Sequence, residues 1–120
     1  MRQRQRRRDG DGEPAGHRHL RLQQIIEEEV AAVLRDEVVD PRLGGVIVTR
    51  VELSVDYKSA KVGFVLARAR PDTEREQVEK ALAKASAFLR SRLAEAVDLK
   101  AVPALRFGWD VMAAESPDRP

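Results

Sequence analysis

Between Leu20 and Leu66 the spacing of apolar side chains changes from three-and-four to two, and that switch restricts the fold more than any other feature of the chain. Leu22, Ile25, Ile26, Val30, Val33 and Leu34 recur at helical spacing, with Glu27, Glu28, Arg35 and Asp36 on the other side. The pattern predicts an amphipathic helix over roughly residues 20–38. It stops before Asp40-Pro41, because a residue preceding proline is pushed out of helical geometry. Gly44-Gly45 marks a turn. In the β-branched run Val46–Ser54, the residues Ile47, Thr49, Val51 and Leu53 fall on one face of a strand. Ala60, Val62, Phe64 and Leu66 alternate with Lys61, Gly63 and Val65 in a second strand. The polar connection Val55–Ser59 is short enough to make the pair antiparallel, and Asp56 within it reads as turn chemistry.

Helical spacing returns after Pro71. Thr73 and Glu76 form a capping box, and Val78, Ala81, Leu82, Ala85, Phe88, Leu89 and Leu93 mark the apolar side of a helix over about 74–97. The stripe drifts at Ala85-Ser86-Ala87, which a kink, two abutting helices or one continuous helix would each explain. Leu105, Phe107 and Trp109 alternate with Arg106 and Gly108 in a last strand, whose start Pro103 confines to an edge. The order is helix, strand, strand, helix, strand. It predicts one α+β domain over residues 20–110, with a three-stranded sheet and its helices on one face. The crossover between the second and third strands is right-handed if they run parallel. Residues 111–120 read as a flexible tail.

Residues 1–19 read as a disordered arm, since nothing in them can be buried. Five arginines stand among the first eight residues, and Asp9–Gly16 adds glycine, proline and three acids. The arm is read either as a phosphate-binding segment or as a solubilising terminus. Asp9, Asp11 and Glu13 argue against a mitochondrial transit peptide.

The chain has no cysteine, which excludes disulfides, thiolate zinc sites, a thiol nucleophile and iron–sulfur clusters. No apolar run approaches the roughly 20 residues of a membrane helix, and no secretory signal opens the chain. A soluble cytoplasmic protein is expected, without a membrane association. The only histidines, His17 and His19, have no third ligand near them, so no metal site is expected. Gly44-Gly45 lacks the lysine and hydroxyl of a phosphate loop, and Ser86 and Ser91 read as helix-surface residues. No catalytic residue and no cofactor are expected, and the chain is not read as an enzyme.

Charge is distributed unevenly. The net charge is only +2. Residues 20–40 nevertheless hold six acids against two bases, residues 42–70 six bases against two acids, and residues 81–107 five against two. An acidic first helix with a basic hairpin and second helix suits binding to a nucleic-acid backbone. The element order does not fit a double-stranded-RNA module. An RRM needs exposed strand aromatics, whereas Phe64, Phe107 and Trp109 fall on core faces. A KH-type module fits the order but uses a Gly-x-x-Gly loop, which is absent; the equivalent junction is Ala85-Ser86-Ala87.

Four segments in order resemble the ribosome-binding factor A family of bacteria. They are Leu34–Gly44 with its Asp-Pro-Arg-Leu-Gly, Val48–Ser54 followed by Ala60-Lys61-Val62, Ala85–Leu93, and Leu99–Phe107. The resemblance covers roughly Leu20 to Asp110. It implies a KH-like domain of the type that begins with a helix (type II), in which an Ala-x-Gly kink replaces the Gly-x-x-Gly loop. It also implies a protein that binds the 30S ribosomal subunit, contacts 16S rRNA and assists late maturation and 5′-end processing, most of all in the cold; a monomer is expected. The departures are Ala87 at the kink's glycine, a polar end where the family continues with an apolar segment, and the arginine-rich arm. Alanine favours helix continuation over glycine by about 1 kcal/mol. On this reading the RNA face comprises Arg42, Arg50, Lys84, Ser86, Arg90, Arg92 and Arg106. The arginines would meet phosphates and Ser86 would offer a hydroxyl at the helix break. The alternative is a KH-like protein-interaction module that uses the acidic helix and the sheet edge without an RNA role. A third reading, an RNA-processing enzyme, would show as activity on precursor rRNA.

Overall fold

The first periodic stretch folds as α1 (Ala15–Asp36), five residues earlier than its apolar spacing predicts. A tertiary contact accounts for the extra turn: the His19 ring meets Tyr57 edge to face at 5.5 Å, and its Nε2 lies 3.2 Å from the Ser54 carbonyl. The structure, a computed structural model, describes residues 15–68, 72–97 and 101–114. The arm up to residue 14, the side chain of Thr73 and residues 115–120 lie outside the described residues.

After α1, Asp40 caps a 3-10 turn over Pro41–Leu43, its carboxylate accepting the Arg42 amide at 3.0 Å. Gly45, at φ 85°, takes the left-handed conformation that a side chain would resist and turns the chain into β1 (Val46–Leu53). β1 pairs antiparallel with β2 (Ser59–Leu66). The connection is a turn in which Asp56 Oδ1 accepts the Ser54 hydroxyl at 2.7 Å and the Lys58 amide at 3.0 Å. Those bonds, the Ser54 hydroxyl first, hold the Asp56 carboxyl below its ordinary pKa. Tyr57 at the turn has φ 66°.

α2 (Asp72–Ala96) is one helix through Ala85-Ser86-Ala87. Of the three readings of that junction, two abutting helices are excluded. The physical reason lies in the sequence: three consecutive small residues, two of them alanine and none glycine, leave every backbone hydrogen bond of the helix worth keeping. β3 (Ala104–Trp109) starts immediately after Pro103 and pairs parallel with β2, so the sheet order is β1-β2-β3.

The expected face of β1 needs one correction. The register shifts between Val48 and Arg50, which is a β-bulge at Thr49. Val51 and Leu53 face inward, but Thr49 in the bulge is half-buried with its hydroxyl directed at Asp110, and Ile47, on the far side of the bulge, is 37% exposed. One extra residue inverts the alternation.

Both long helices cover the same sheet face. Ile26, Val30 and Val33 of α1 join Val51, Leu53, Ala60, Val62, Leu89, Leu93 and Leu105 in one cluster. Phe64 and Leu66 join Leu43, Val78, Ala81 and Leu82 in a second. No charged or polar residue is buried among the described residues. Each buried aliphatic side chain contributes roughly 1.5–3 kcal/mol. The segment after Trp109, expected to be a frayed tail, instead forms α3 (Val111–Ala114). Asp110 caps it, its Oδ1 accepting the Ala113 amide at 3.1 Å.

Candidate nucleic-acid interface

Alternation along three strands places one set of polar residues on the sheet face away from α1 and α2. Glu52, Lys61 and Arg106 are register partners across β1, β2 and β3, and the next row is Arg50, Gly63 and Gly108. Lys61 and Arg106 are therefore like charges directly opposite each other, a destabilising pairing that Glu52, on the other side of Lys61, offsets only in part. Neither has an ion pair among the described residues, whereas Arg50 reaches Glu52 at 3.2 Å. The two glycines floor a groove of about 220 Å³. Arg50 and Lys61 border it on one side, and Val111 and Met112 of α3 on the other.

Gly63 is required there by close approach. A Cβ at this position would stand 3.0 Å from Thr49 Oγ1 and 3.4 Å from Asp110. Its absence lets the Thr49 hydroxyl donate to Asp110 Oδ2 at 2.5 Å, tying the bulge of β1 to the cap of α3 across β2. This bond first, and the Ala113 amide second, lower the Asp110 pKa, with Arg50 assisting. A carboxyl depressed in the folded state adds stability above its unfolded pKa of about 3.9 and loses it as pH falls through the folded value. Thr49→Val is thus expected to cost roughly 1 kcal/mol at pH 7. The cost should shrink below pH 4 in urea denaturation. An equal cost at both pH values would mean that the carboxylate is not the partner that matters.

The seven residues singled out in the sequence do not share a face. Arg50 and Arg106 lie on the open sheet surface. Lys84, Ser86, Arg90 and Arg92 belong to α2, on the opposite side of the sheet, and Arg42 belongs to the 3-10 turn beside α2. Several are already engaged. Arg42 grips Asp40 through Nε at 3.1 Å and Nη2 at 2.9 Å. That pairing lowers the Asp40 pKa and raises that of Arg42. Arg92 meets Glu37 at 2.9 Å and Glu95 at 2.9 Å. Arg90 donates to the carbonyls of Pro103 at 3.2 Å and Val102 at 3.0 Å, bracing α2 against the entry to β3. Lys84 is exposed, close enough to Asp40 to help lower its pKa. Ser86 is half-buried on the helix. Lys61 was legible as an outward residue of β2, but its pairing with Arg106 depends on the parallel register.

Among the described residues no cluster of three or more His, Asp or Glu side chains could hold a metal ion, and no helix is long and apolar enough to cross a membrane.

Known proteins resemble the chain in sequence and fold. The family model Ribosome-binding factor A matches residues 18–117. A ribosome-binding factor A of Ruthia magnifica is 40% identical over 98 residues, covering 82% of this chain and 84% of its own. That of Heliobacterium modesticaldum is 41% identical over 97 residues, covering 81% and 78%. The crystal structure of ribosome-binding factor A from Thermus thermophilus superposes with a TM-score of 0.68 at 26% identity, over 82% of this chain and 99% of that one. A homology model of the Thermus thermophilus factor, fitted into the cryo-EM map of a 30S complex, gives 0.62 at 26% identity, over 79% and 96%. The family model runs from the first turn of α1 past the end of α3, and the two superpositions each cover about four-fifths of the chain. With its KH-like α+β fold, the chain therefore belongs to the ribosome-binding factor A family.

Proposed function

We propose that this protein binds the 30S ribosomal subunit as a monomer, contacts 16S rRNA, and assists late subunit maturation and 5′-end processing, with the greatest need in the cold. It acts in the cytoplasm by binding and not by catalysis. The observation that carries the reading is the sheet face where Lys61 and Arg106 stand side by side, neither in an ion pair among the described residues, beside a glycine-floored groove whose Glu52 is engaged by Arg50. Phosphates are the ligand that relieves such a juxtaposition. Arg50, Lys61 and Arg106 form the first contact surface. Arg42, Lys84, Ser86, Arg90 and Arg92 form a second, in which Arg42 and Arg92 must exchange a carboxylate for a phosphate. Binding of the 30S subunit is what the fitted Thermus thermophilus coordinates describe for that relative. A factor of this kind shifts a folding equilibrium of rRNA only through a difference in affinity between immature and mature subunits.

The test is co-sedimentation of the purified protein with isolated small subunits, large subunits and whole ribosomes at low and moderate salt. Selective pelleting with small subunits, stronger on subunits carrying precursor 16S rRNA, is the expected result. Equal pelleting with large subunits would reduce the reading to unspecific polyanion binding, and no pelleting would overturn it.

A further inference from the structure

β1 lies at an edge of the sheet, and α1 runs alongside it. Gln23, Glu27 and Ala31 follow one another at four-residue spacing on one face of the helix. At one end Gln23 Oε1 accepts the Leu53 amide at 2.8 Å, closing the strand edge there. At the other end Ala31, Leu34 and Val38 face Val46–Val48 across a groove of about 450 Å³. The Gly45 carbonyl is taken by the Ala67 amide on the β2 side. Strand alternation then turns the backbone groups of Val46 and Val48 outward, toward the groove. No hydrogen bond to them is made among the described residues.

Glu27 stands between the closed and the open end. No cation lies within ion-pair distance of it among the described residues. It is partly buried, and that burial, with Glu28 beside it, raises its pKa. An unpaired, desolvated carboxylate is costly and gains most from an incoming cation. Glu27 and Glu28 also repel phosphate, so this edge disfavours the ligand that suits the sheet face. The one arginine lining the groove, Arg35, is held by Asp36 at 3.0 and 3.1 Å.

We propose that the open half of the β1 edge accepts an extended polypeptide strand of a partner protein, apolar at alternate positions and bearing a lysine or arginine that meets Glu27. Main-chain hydrogen bonds to Val46 and Val48 supply the pairing, the groove takes alternate side chains, and Glu27 selects the basic residue. The assignment does not rest on ribosome binding, and it leaves the cationic sheet face free for a second ligand.

The experiment titrates the full, isotope-labelled chain with a capped octapeptide alternating valine and lysine. Amide shifts confined to Val46–Val51 and to the Ala31–Val38 side of the groove are expected, with slowed exchange at Val46 and Val48. Glu27→Gln should weaken the peptide at least fivefold while raising the thermal midpoint at pH 7, so a loss of binding cannot be ascribed to unfolding. A valine–glutamate peptide should not bind. The proposal is overturned if a backbone N-methylated valine–lysine peptide binds equally well, if the shifts fall on the sheet face, or if an oligouridylate moves the same amides. Concentration-dependent dimerisation that protects Val46 and Val48 without peptide would overturn it as well, making a second copy the occupant.

Discussion

Phe64→Ala is expected to lower the free energy of unfolding by roughly 3–5 kcal/mol, a large share of the 5–15 kcal/mol available to a whole domain. Phe64 is fully buried in the central strand, where it joins Leu82 and Val78 of α2 to Leu43 of the 3-10 turn. Its ring meets Trp109 edge to face at 5.8 Å, and the Arg75 guanidinium lies over that indole at 4.8 Å. Removing the ring therefore opens a cavity between sheet and helix and also withdraws an aromatic interaction worth about 0.5–1.5 kcal/mol. No other aromatic side chain among the described residues is fully buried, and the buried neighbours in its cluster are aliphatic chains held in packed positions that leave the space largely unfilled. A fall of at least about 12 °C in the thermal midpoint follows for a domain of this size. A loss under about 1.5 kcal/mol would mean that the ring does not occupy the core as described.

The second large effect concerns binding. Replacing Arg50, Lys61 and Arg106 together by alanine should weaken association with small subunits roughly 100-fold at moderate salt, since charge-assisted hydrogen bonds contribute about 1.5–3 kcal/mol each before screening. The slope of log affinity against log salt should flatten by about 2, near 0.7–0.9 for each phosphate no longer neutralised. The fold should survive, because Lys61 and Arg106 make no ion pair among the described residues and repel each other in the free protein. Arg90→Ala with Arg92→Ala is the matched comparison. It removes two charges whose hydrogen bonds are internal, so it should lower stability more than it flattens the slope. The reverse pattern, a steep slope kept by the sheet variant and abolished in the helix variant, would move the RNA-binding surface to α2.

What could be seen in the sequence, and what could not, divides by distance along the chain. The strands and both long helices followed from local spacing, and so did the outward position of Lys61 between Ala60 and Val62. The bulge at Thr49 was not legible, because what fixes it is a hydrogen bond to Asp110, 61 residues away. The same bond explains why α3 has a cap where the composition suggested a tail. The early start of α1 depends on His19 meeting the hairpin 35 residues on. The bases of the second helix looked as free as those of the sheet. Arg92 is instead matched to Glu37 over a separation of 55, which a charge census cannot detect. The family resemblance supplied a kink, but the alanine at position 87 removes the residue that would loosen the helix, and α2 continues.

The parallel pairing of β2 with β3 sets an order of assembly. The hairpin can close within its own few residues, but β3 has to wait until α2 has folded back across the sheet. Arg106, the Asp110 cap, the carbonyls that hold Arg90 and the groove floor at Gly108 all arrive with that last strand. A chain still lacking it displays Arg50 and Lys61 of the hairpin without Arg106 beside them. On the function proposed above, the full cationic face is thus presented only by finished molecules, and a nascent or partly melted chain offers phosphate a weaker surface.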